Sequence, residues 1–231
     1  VDACAAEGQF ALTVDFANAT DIGISPYALS VNGAAFQNIA GLPYNATGLN
    51  SGLNTISIRD KNGCIATETI TINAPLGLSS QVVTAPSCSD DDGSITATAI
   101  GGSGAYTYSL LDGSLNPVVG ITITGNTITG IPSGNYTVRA MDTNSGCTID
   151  APISLDAAAP VAFTTSKIDV SCNGGSDGSI TVSVTAGDIP YTYELLDGTM
   201  TVIRGPQTSA VFNNLAADTY TVRVSTDRNC V

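Results

Sequence analysis

The chain of 231 residues carries a formal net charge of −13 and contains no histidine. Without imidazole it can build neither a Ser-His-Asp nor a Cys-His nucleophile system, nor a zinc or iron site that needs histidine ligands. Its 7 basic and 20 acidic residues make contact with nucleic acid phosphates or anionic lipid head groups unfavourable. No apolar run is long enough to span a membrane, and the chain does not open with a signal peptide pattern.

The first third of the chain has the pattern of a β-protein. Residues 10–16 alternate apolar side chains with smaller or polar ones, which is typical of a half-buried strand. The segment 55–59 and the run Ile65–Ile72 also have strand character. No stretch here or later in the chain favours a helix.

The middle and last thirds repeat one order of elements. Each has an extended lead-in, a Gly-Ser-Ile-Thr strand start, a Tyr-Thr-Tyr strand, an Asp-Gly hairpin turn signal and a Tyr-Thr-Val-Arg strand. In the middle third these lie at 82–88, 93–96, 106–108, 112–113 and 136–139, and in the last third at 161–172, 178–181, 191–193, 197–198 and 220–223. The run Thr148–Leu155 follows in the middle third, but the last third stops at Val231.

The six cysteines follow the same repeat. They form three pairs by position, namely Cys4 and Cys64, Cys88 and Cys147, and Cys172 and Cys230. The first members are 84 residues apart and the second members are 83 residues apart. A constant period indicates one module used three times, and cysteines outside catalytic spacing indicate an oxidising compartment.

We therefore predict three tandem immunoglobulin-like antiparallel β-sandwich modules in a semi-rigid rod. The first module takes residues 1–75 and lacks its first strand, the second takes 76–158, and the third takes 159–231 and lacks its last strand. In each module the first cysteine precedes a strand and the second follows one. The expected disulfides lie within modules and join strand ends: Cys4 with Cys64, Cys88 with Cys147, and Cys172 with Cys230.

A family resemblance lies in the second and third modules. A cysteine, a Gly/Asp-rich turn, Gly-Ser-Ile-Thr, a Tyr-Thr-Tyr strand and Tyr-Thr-Val-Arg before a final cysteine resemble the SprB-type repeat of gliding-motility adhesins and other large surface proteins exported by type IX secretion. Residues 172–178 and 190–193 carry the best match, whereas Ala5-Ala6-Glu7-Gly8 replaces the turn in the first module. The resemblance implies a long, repetitive protein attached to the bacterial cell surface.

One group of acidic residues is a candidate metal site. Asp90, Asp91 and Asp92 lie in one turn, and Asp177 has the equivalent place in the third module. Carboxylates suit calcium, which takes six to eight oxygen ligands, but the spacing is not that of an EF-hand. The alternative, a solvated acidic loop before a strand, stays open, and no other cofactor is expected.

Three further sets of residues occur once per module. Arg59, Arg139 and Arg223 either pair with carboxylates or aromatic rings, or bind sugars or carboxylates. Asp60, Asp142 and Asp227 are interpreted as turn residues that bond their own backbone. The tyrosines either belong to the core or form a sugar platform: Tyr106, Tyr108, Tyr191 and Tyr193.

The favoured function is a non-enzymatic extracellular repeat segment of a bacterial surface adhesin or filament, acting as a disulfide-stapled stalk for adhesion or gliding. Its expected partners are further copies of the repeat in a longer chain, with surface polysaccharide or neighbouring filament subunits as other possibilities; neither nucleic acid nor direct membrane insertion is expected. Two alternatives stay open. One is a set of polysaccharide-binding accessory modules of a secreted protein, and the other is a fibre subunit assembled by strand donation.

Overall fold

A computed structural model of the chain describes residues 4–16 and 23–231. Within these ranges the regular structure is entirely β, without a helix. The strands are β1 (Phe10–Val14), β2 (Tyr27–Val31), β3 (Gln37–Ile39), β4 (Tyr44–Leu49), β5 (Gly52–Arg59), β6 (Ile65–Ile72), β7 (Gly77–Thr84), β8 (Gly93–Ile100), β9 (Tyr106–Leu111), β10 (Thr122–Thr124), β11 (Thr127–Ile131), β12 (Gly134–Asp142), β13 (Thr148–Leu155), β14 (Ala162–Ile168), β15 (Gly178–Ala186), β16 (Tyr191–Leu196), β17 (Val202–Gln207), β18 (Val211–Leu215) and β19 (Thr221–Thr226).

The strands form three pairs of sheets along the chain. In the first module β1 pairs with β4, and the facing sheet has the order β3-β2-β5-β6. The second module has the orders β10-β11-β8-β7 and β13-β12-β9, and the third has β14-β15-β18 and β17-β16-β19. The register is antiparallel in each module. The prediction of tandem immunoglobulin-like sandwiches is confirmed.

The outer modules have fewer strands than the middle one. The described part of the first module contains no counterpart of β7 or β14, and the third module contains no counterpart of β6 or β13. As a result, β19 is the last strand of its sheet and has one unpaired edge.

By contacts the chain divides into two compact units, each made of three segments. One unit comprises Val1–Ser80, Ala97–Leu110 and Val138–Ala151, and the other comprises Gln81–Thr96, Leu111–Thr137 and Pro152–Val231. The module boundaries at 75 and 158 therefore stay a prediction.

Alternating burial explains why these segments are strands. Along β8, Ile95, Ala97 and Ala99 are buried, because successive side chains of a strand point to opposite faces of the sheet. In the first module the core centres on Phe10 and Leu49. No helix in the described residues is long and apolar enough to cross a membrane.

A bond from a tyrosine hydroxyl to a backbone carbonyl recurs at the start of β12 in the second module and of β19 in the third. The hydroxyl of Tyr136 donates to the carbonyl of Pro132 at 3.1 Å, and that of Tyr220 donates to Ala216 at 3.1 Å. This tyrosine corner is typical of immunoglobulin-like sandwiches. In the first module the buried Asn54 donates to the carbonyl of Asn50 at 2.9 Å and so replaces the tyrosine.

Candidate functional site at the disulfide-linked junctions

The disulfides join successive modules. Cys4 bonds to Cys147 with the Cα atoms 5.4 Å apart, and Cys88 bonds to Cys230 with the Cα atoms 5.2 Å apart. Each bond lies inside one compact unit. The remaining two cysteines, Cys64 and Cys172, are exposed free thiols. The predicted pairing within modules, Cys4 with Cys64, Cys88 with Cys147 and Cys172 with Cys230, is therefore wrong.

Strand direction explains the correction in the first module. Phe10 at the start of β1 lies opposite Leu49 at the end of β4, next to the turn where β5 begins. The carboxylate of Glu7 accepts a bond from the Ser51 amide of that turn at 2.8 Å, so the Cys4 segment lies at this end. Cys64 follows the far end of β5, and eight residues of strand span roughly 25 Å.

The third module has the same geometry. Gly178 at the start of β15 lies opposite Leu215 at the end of β18. The chain then runs along β19 and reaches Cys230 beyond its far end. The first and second cysteines of a module thus lie at opposite ends of the sandwich, out of reach of each other, since a disulfide needs Cα atoms within about 7 Å.

The first junction comprises the Cys4–Cys147 bond, the linker carbonyls of Ala74 and Pro75, the turn 101–103 and Asp142. The Gly102 amide donates to the Ala74 carbonyl at 2.8 Å. Gly101 has a φ of +76°, and a Cβ there would lie 2.0 Å from the Pro75 oxygen. Only glycine permits this backbone conformation together with so close an approach.

Asp142 organises the first junction. Its carboxylate is buried and accepts bonds from the Ser103 amide, from the Ser103 hydroxyl at 2.8 Å and from the Asn144 and Ser145 amides at 2.9 and 3.0 Å. Donors that favour the charged form hold the pKa of Asp142 far below its usual range, the Ser103 amide first among them. Its own amide donates to the Cys147 carbonyl at 2.8 Å, which fixes the turn that carries the cysteine.

The second junction comprises the Cys88–Cys230 bond, Arg228, Asp188 and the carbonyls of residues 86, 156 and 157. Arg228 donates to the Pro86 carbonyl at 2.9 and 2.5 Å, to Asp156 at 2.5 Å and to Ala157 at 3.3 Å. It also pairs with the carboxylate of Asp188 at 3.1 Å and is 19% exposed. The Cys88 amide donates to the Arg228 carbonyl at 3.0 Å.

The turns before the second cysteine confirm part of the aspartate interpretation. Asp60 accepts from the Asn62 and Cys64 amides at 2.9 and 2.8 Å, and Asp142 accepts within its own turn as described above. Both also reach another loop, since Asp60 accepts from the Ile24 amide at 3.2 Å. In the third module the equivalent position is Thr226, whose amide donates to the Cys230 carbonyl at 3.0 Å, and not Asp227.

The candidate calcium residues are engaged by backbone amides. Asp90 accepts from Ser133 at 2.8 Å, Asp92 accepts from Ser87 at 2.6 Å, and Asp177 accepts from Ser171 at 3.0 Å. Bonds from these serines lower the pKa of each carboxyl group, with the backbone amide as the main cause at Asp90 and Asp92 and the Ser171 side chain as the main cause at Asp177. The described residues contain no group of three or more potential metal ligands close together.

Asp92 and Asp177 therefore share a structural role. Each accepts a backbone bond from the residue that precedes the first cysteine of its module, so the carboxylate shapes the turn that carries this cysteine. For Asp91, the middle residue of the triplet, these contacts indicate no structural role.

The repeated arginines have structural partners. Arg139 makes a bidentate pair with Asp150, both bonds 2.8 Å long, and Arg223 lies 3.2 Å from Glu194. Arg59 lies over the ring of Phe36, 4.4 Å from its centre.

The repeated tyrosines pack against or bond to their own module. Tyr193 is buried in the core. The hydroxyl groups of Tyr106 and Tyr191 donate to Gly101 and Gly187 at 2.5 and 2.8 Å, while that of Tyr108 accepts from the Ala99 amide at 3.2 Å. These contacts favour the structural interpretation over an exposed sugar platform.

Comparison with known proteins identifies the repeat. The family model of the SprB repeat matches residues 80–115 and 164–200, which together cover less than half of the chain. The predicted resemblance is confirmed for the second and third modules. No curated protein sequence matches the chain.

The solved structures that the chain matches have low sequence identity and low TM-scores. The three N-terminal domains of the outer capsid protein Hoc of bacteriophage RB49 are 14% identical, with 94% of this chain and 82% of that chain covered and a TM-score of 0.43. The eight N-terminal Ig domains of Down Syndrome Cell Adhesion Molecule are 12% identical, with 95% and 34% covered and a TM-score of 0.41. Titin domains I67–I69 are 12% identical, with 87% and 83% covered and a TM-score of 0.34.

Proposed function

We propose that this segment is a non-enzymatic stalk of an extracellular bacterial surface protein, in which each module is covalently locked to the next. The SprB repeat matches and the disulfides support an extracellular adhesin-type repeat region. The observation that carries the proposal is the connectivity of the two bonds. A role in adhesion or gliding, with further copies of the repeat as partners, follows from the family resemblance.

The connectivity determines how the chain carries tension. Force applied at Cys4 crosses to Cys147, returns along the backbone to Cys88 and crosses to Cys230. The linker around residues 73–76 lies outside this path and is not stretched. Unfolding of the first or the third module consequently does not lengthen the loaded path, which is a useful property for a surface protein exposed to shear.

The two bonds also limit extension. From Cys4 to Cys230 the backbone has 226 residue steps, whereas the shortest bonded path has only the 59 steps between Cys88 and Cys147. At roughly 3.3 to 3.6 Å per residue, the maximum extension falls from about 750–800 Å to about 200 Å.

Single-molecule stretching tests the proposal. Chains held at both termini through handles that contain no cysteine should extend by about 200 Å at most when oxidised, and by about 750–800 Å after reduction. The Cys64→Ser/Cys172→Ser variant, which keeps both bonds, is the control and should behave like the unaltered chain. An oxidised chain that extends as far as the reduced one would contradict the stalk mechanism.

The polysaccharide-binding alternative has a separate test. The tyrosine hydroxyl groups and the arginine side chains are occupied by contacts within the protein, so we expect no glycan to bind the chain. Binding on a glycan array that is lost in Arg59→Ala or Arg223→Ala would favour accessory sugar-binding modules instead.

A further inference from the structure

The two free cysteines occupy the same positions in the repeat as the four bonded ones. Cys64 is the second cysteine of the first module, equivalent to Cys147 and Cys230, and Cys172 is the first cysteine of the third module, equivalent to Cys4 and Cys88. In both observed bonds, the first cysteine of one module joins the second cysteine of the next module. By this rule Cys172 requires a following module and Cys64 requires a preceding one.

The turns at the free cysteines have the form of the bonded turns. The Asp60 amide donates to the Cys64 carbonyl at 3.0 Å, as the Asp142 amide does to the Cys147 carbonyl at 2.8 Å. Ser171 before Cys172 donates to Asp177 at 3.0 Å, as Ser87 before Cys88 donates to Asp92 at 2.6 Å. Both thiols are therefore presented on turns that are already formed.

Burial separates the bonded from the free state only at the second cysteine of a module, because the first cysteines Cys4, Cys88 and Cys172 are exposed whether bonded or free. Cys147 and Cys230, which are bonded, are 5% and 1% exposed, whereas their equivalent Cys64 is exposed. Beside Cys64 lies a small cavity of about 130 Å³ lined by Phe16, Tyr27 and Ile58. The lining also contains Asp60, so the surface beside this thiol is partly apolar and partly polar.

The third module has an open groove and an open strand edge. A groove of about 670 Å³ runs between β14 and β19, with Phe163 and Thr165 on one side and Thr221 and Val222 on the other. The edge of β19 is unpaired, although the equivalent strand β12 is paired on both sides. An unpaired strand edge is a surface that binds another chain segment.

We infer that Cys172 and Cys64 are the two complementary halves of a further junction of the same kind, each taking another module of this repeat as its covalent partner. The inference rests on the proposed function and extends it, because it assigns the cysteines through which the stalk continues. A second copy of this chain presents both halves, so one copy's Cys172 fits the other copy's Cys64. Such a head-to-tail contact is heterologous, so it continues into an open filament unless the rotation between copies closes it into a ring.

Bond formation requires an oxidant that is a disulfide, such as glutathione disulfide. The thiolate of Cys172 attacks one sulfur of the oxidant, and the other sulfur leaves as a thiolate. The partner thiolate of Cys64 then attacks the Cys172 sulfur of this mixed disulfide and releases the second oxidant thiol. The two protein thiols lose two protons and two electrons, and the oxidant is reduced to two thiols.

Two complementary variants test the inference. Cys64→Ser retains only the free Cys172, and Cys172→Ser retains only the free Cys64, so an equimolar mixture can form one specific heterodimer and nothing longer. After oxidation with glutathione disulfide, non-reducing electrophoresis should show the heterodimer in about tenfold excess over the homodimer of either variant, a preference worth about 1.4 kcal/mol. The unaltered chain should form a ladder, and Cys64→Ser/Cys172→Ser should stay monomeric.

Peptide mapping of the non-reduced products separates the possible failures. Cross-links from Cys172 to Cys64 support the inference. Homodimers as abundant as the heterodimer, or no cross-link at all, overturn it while the proposed function stands, provided that the Cys4–Cys147 and Cys88–Cys230 peptides are present in the same digest. Absence of those two internal peptides would instead overturn the proposed function.

Discussion

The first and second junctions share the disulfide but differ in the polar groups beside it. At the first junction one buried carboxylate, that of Asp142, collects donors from its own turn and from Ser103. At the second junction one guanidinium, that of Arg228, donates to carbonyls and to Asp188. The covalent link is therefore the constant part of the junction, and the polar contacts are adapted to each pair of modules.

The central charged group is thus an anion at the first junction and a cation at the second. Protonation removes the negative charge of the Asp142 carboxylate and part of its capacity to accept hydrogen bonds. The guanidinium of Arg228, by contrast, stays charged at every pH at which proteins fold. We expect the first junction to respond to acid more than the second. The predictions that follow either remove what the junctions share or act on what separates them.

Removal of each disulfide should have the largest effect. The bonds close loops with sequence separations of 143 and 142 residues, and loss of a native disulfide typically costs about 2–5 kcal/mol of the free energy of unfolding. Differential scanning calorimetry of Cys4→Ser/Cys147→Ser and Cys88→Ser/Cys230→Ser should show similar decreases in Tm. Cys64→Ser/Cys172→Ser is the control and should melt like the unaltered chain.

Unequal decreases in Tm would show that the two disulfides do not contribute equally to stability. If only one pair of substitutions lowers Tm, the polar contacts at the other junction suffice to hold it. If neither pair does so, the disulfides are not what stabilises the modules.

Substitution of Arg228 should have the next largest effect, confined to the second junction. Arg228→Ala leaves the carbonyls of Pro86 and Asp156 and the carboxylate of Asp188 without their donor. Bonds to charged groups are worth about 1.5–3 kcal/mol each when partly buried, so we expect a loss of about 2–3 kcal/mol in the free energy of unfolding in urea.

Arg204→Ala is the matched control for Arg228→Ala. Arg204 also donates to two carbonyls, those of Asn213 and Asn214, at 2.8 and 3.1 Å, but it is exposed and acts within one module. Its replacement should cost less than about 1 kcal/mol. Equal losses in the two variants would mean that Arg228 has no special role at the junction.

Sequence patterns predicted the fold much better than the junctions. Period-two burial, as seen at Ile95, Ala97 and Ala99, follows directly from the alternation in the sequence. Cysteine spacing identified the modules but not the bonds, because it does not tell which end of a sandwich a residue occupies. The direction of the strands did contain that signal. β1 runs antiparallel to β4, and the chain turns back at residues 50–51 before it enters β5. A cysteine before β1 and a cysteine after β5 must therefore lie at opposite ends of the sandwich.

The two residues that organise the junctions, Asp142 and Arg228, differ in how far the sequence identified them. Asp142 was identified as a turn residue from its place before Cys147, but its bond to Ser103, 39 residues away, depends on tertiary structure. Arg228 was missed because it has no equivalent in the other modules. The only sequence signals were that the chain has just five arginines and that this one lies two residues before a cysteine.

Acid should weaken the first junction through Asp142. Because its folded pKa lies below the unfolded value of about 3.9, its contribution to stability is complete above that pH and is lost as pH falls further towards the folded pKa. Asp142→Asn should lower Tm at pH 7 by more than Asp60→Asn, and the difference from the unaltered chain should shrink below about pH 4. A difference that is constant from pH 7 to pH 2 would show that the charge of Asp142 is not what stabilises the junction.

Calcium should have the smallest effect, because the candidate ligands already serve the turns next to the junctions. Asp90 and Asp92 each accept a bond from a backbone amide, and a cation would have to compete with these bonds. Calcium takes six to eight oxygen ligands, and the described residues contain no group of three or more potential ligand side chains. We expect the same Tm with added calcium and with a chelator. Asp92→Asn should lower Tm equally in both conditions, since the loss concerns the Ser87 amide beside Cys88 and not a metal. A Tm that rises with calcium in the unaltered chain but not in Asp90→Asn/Asp92→Asn would instead establish a calcium site beside the second junction.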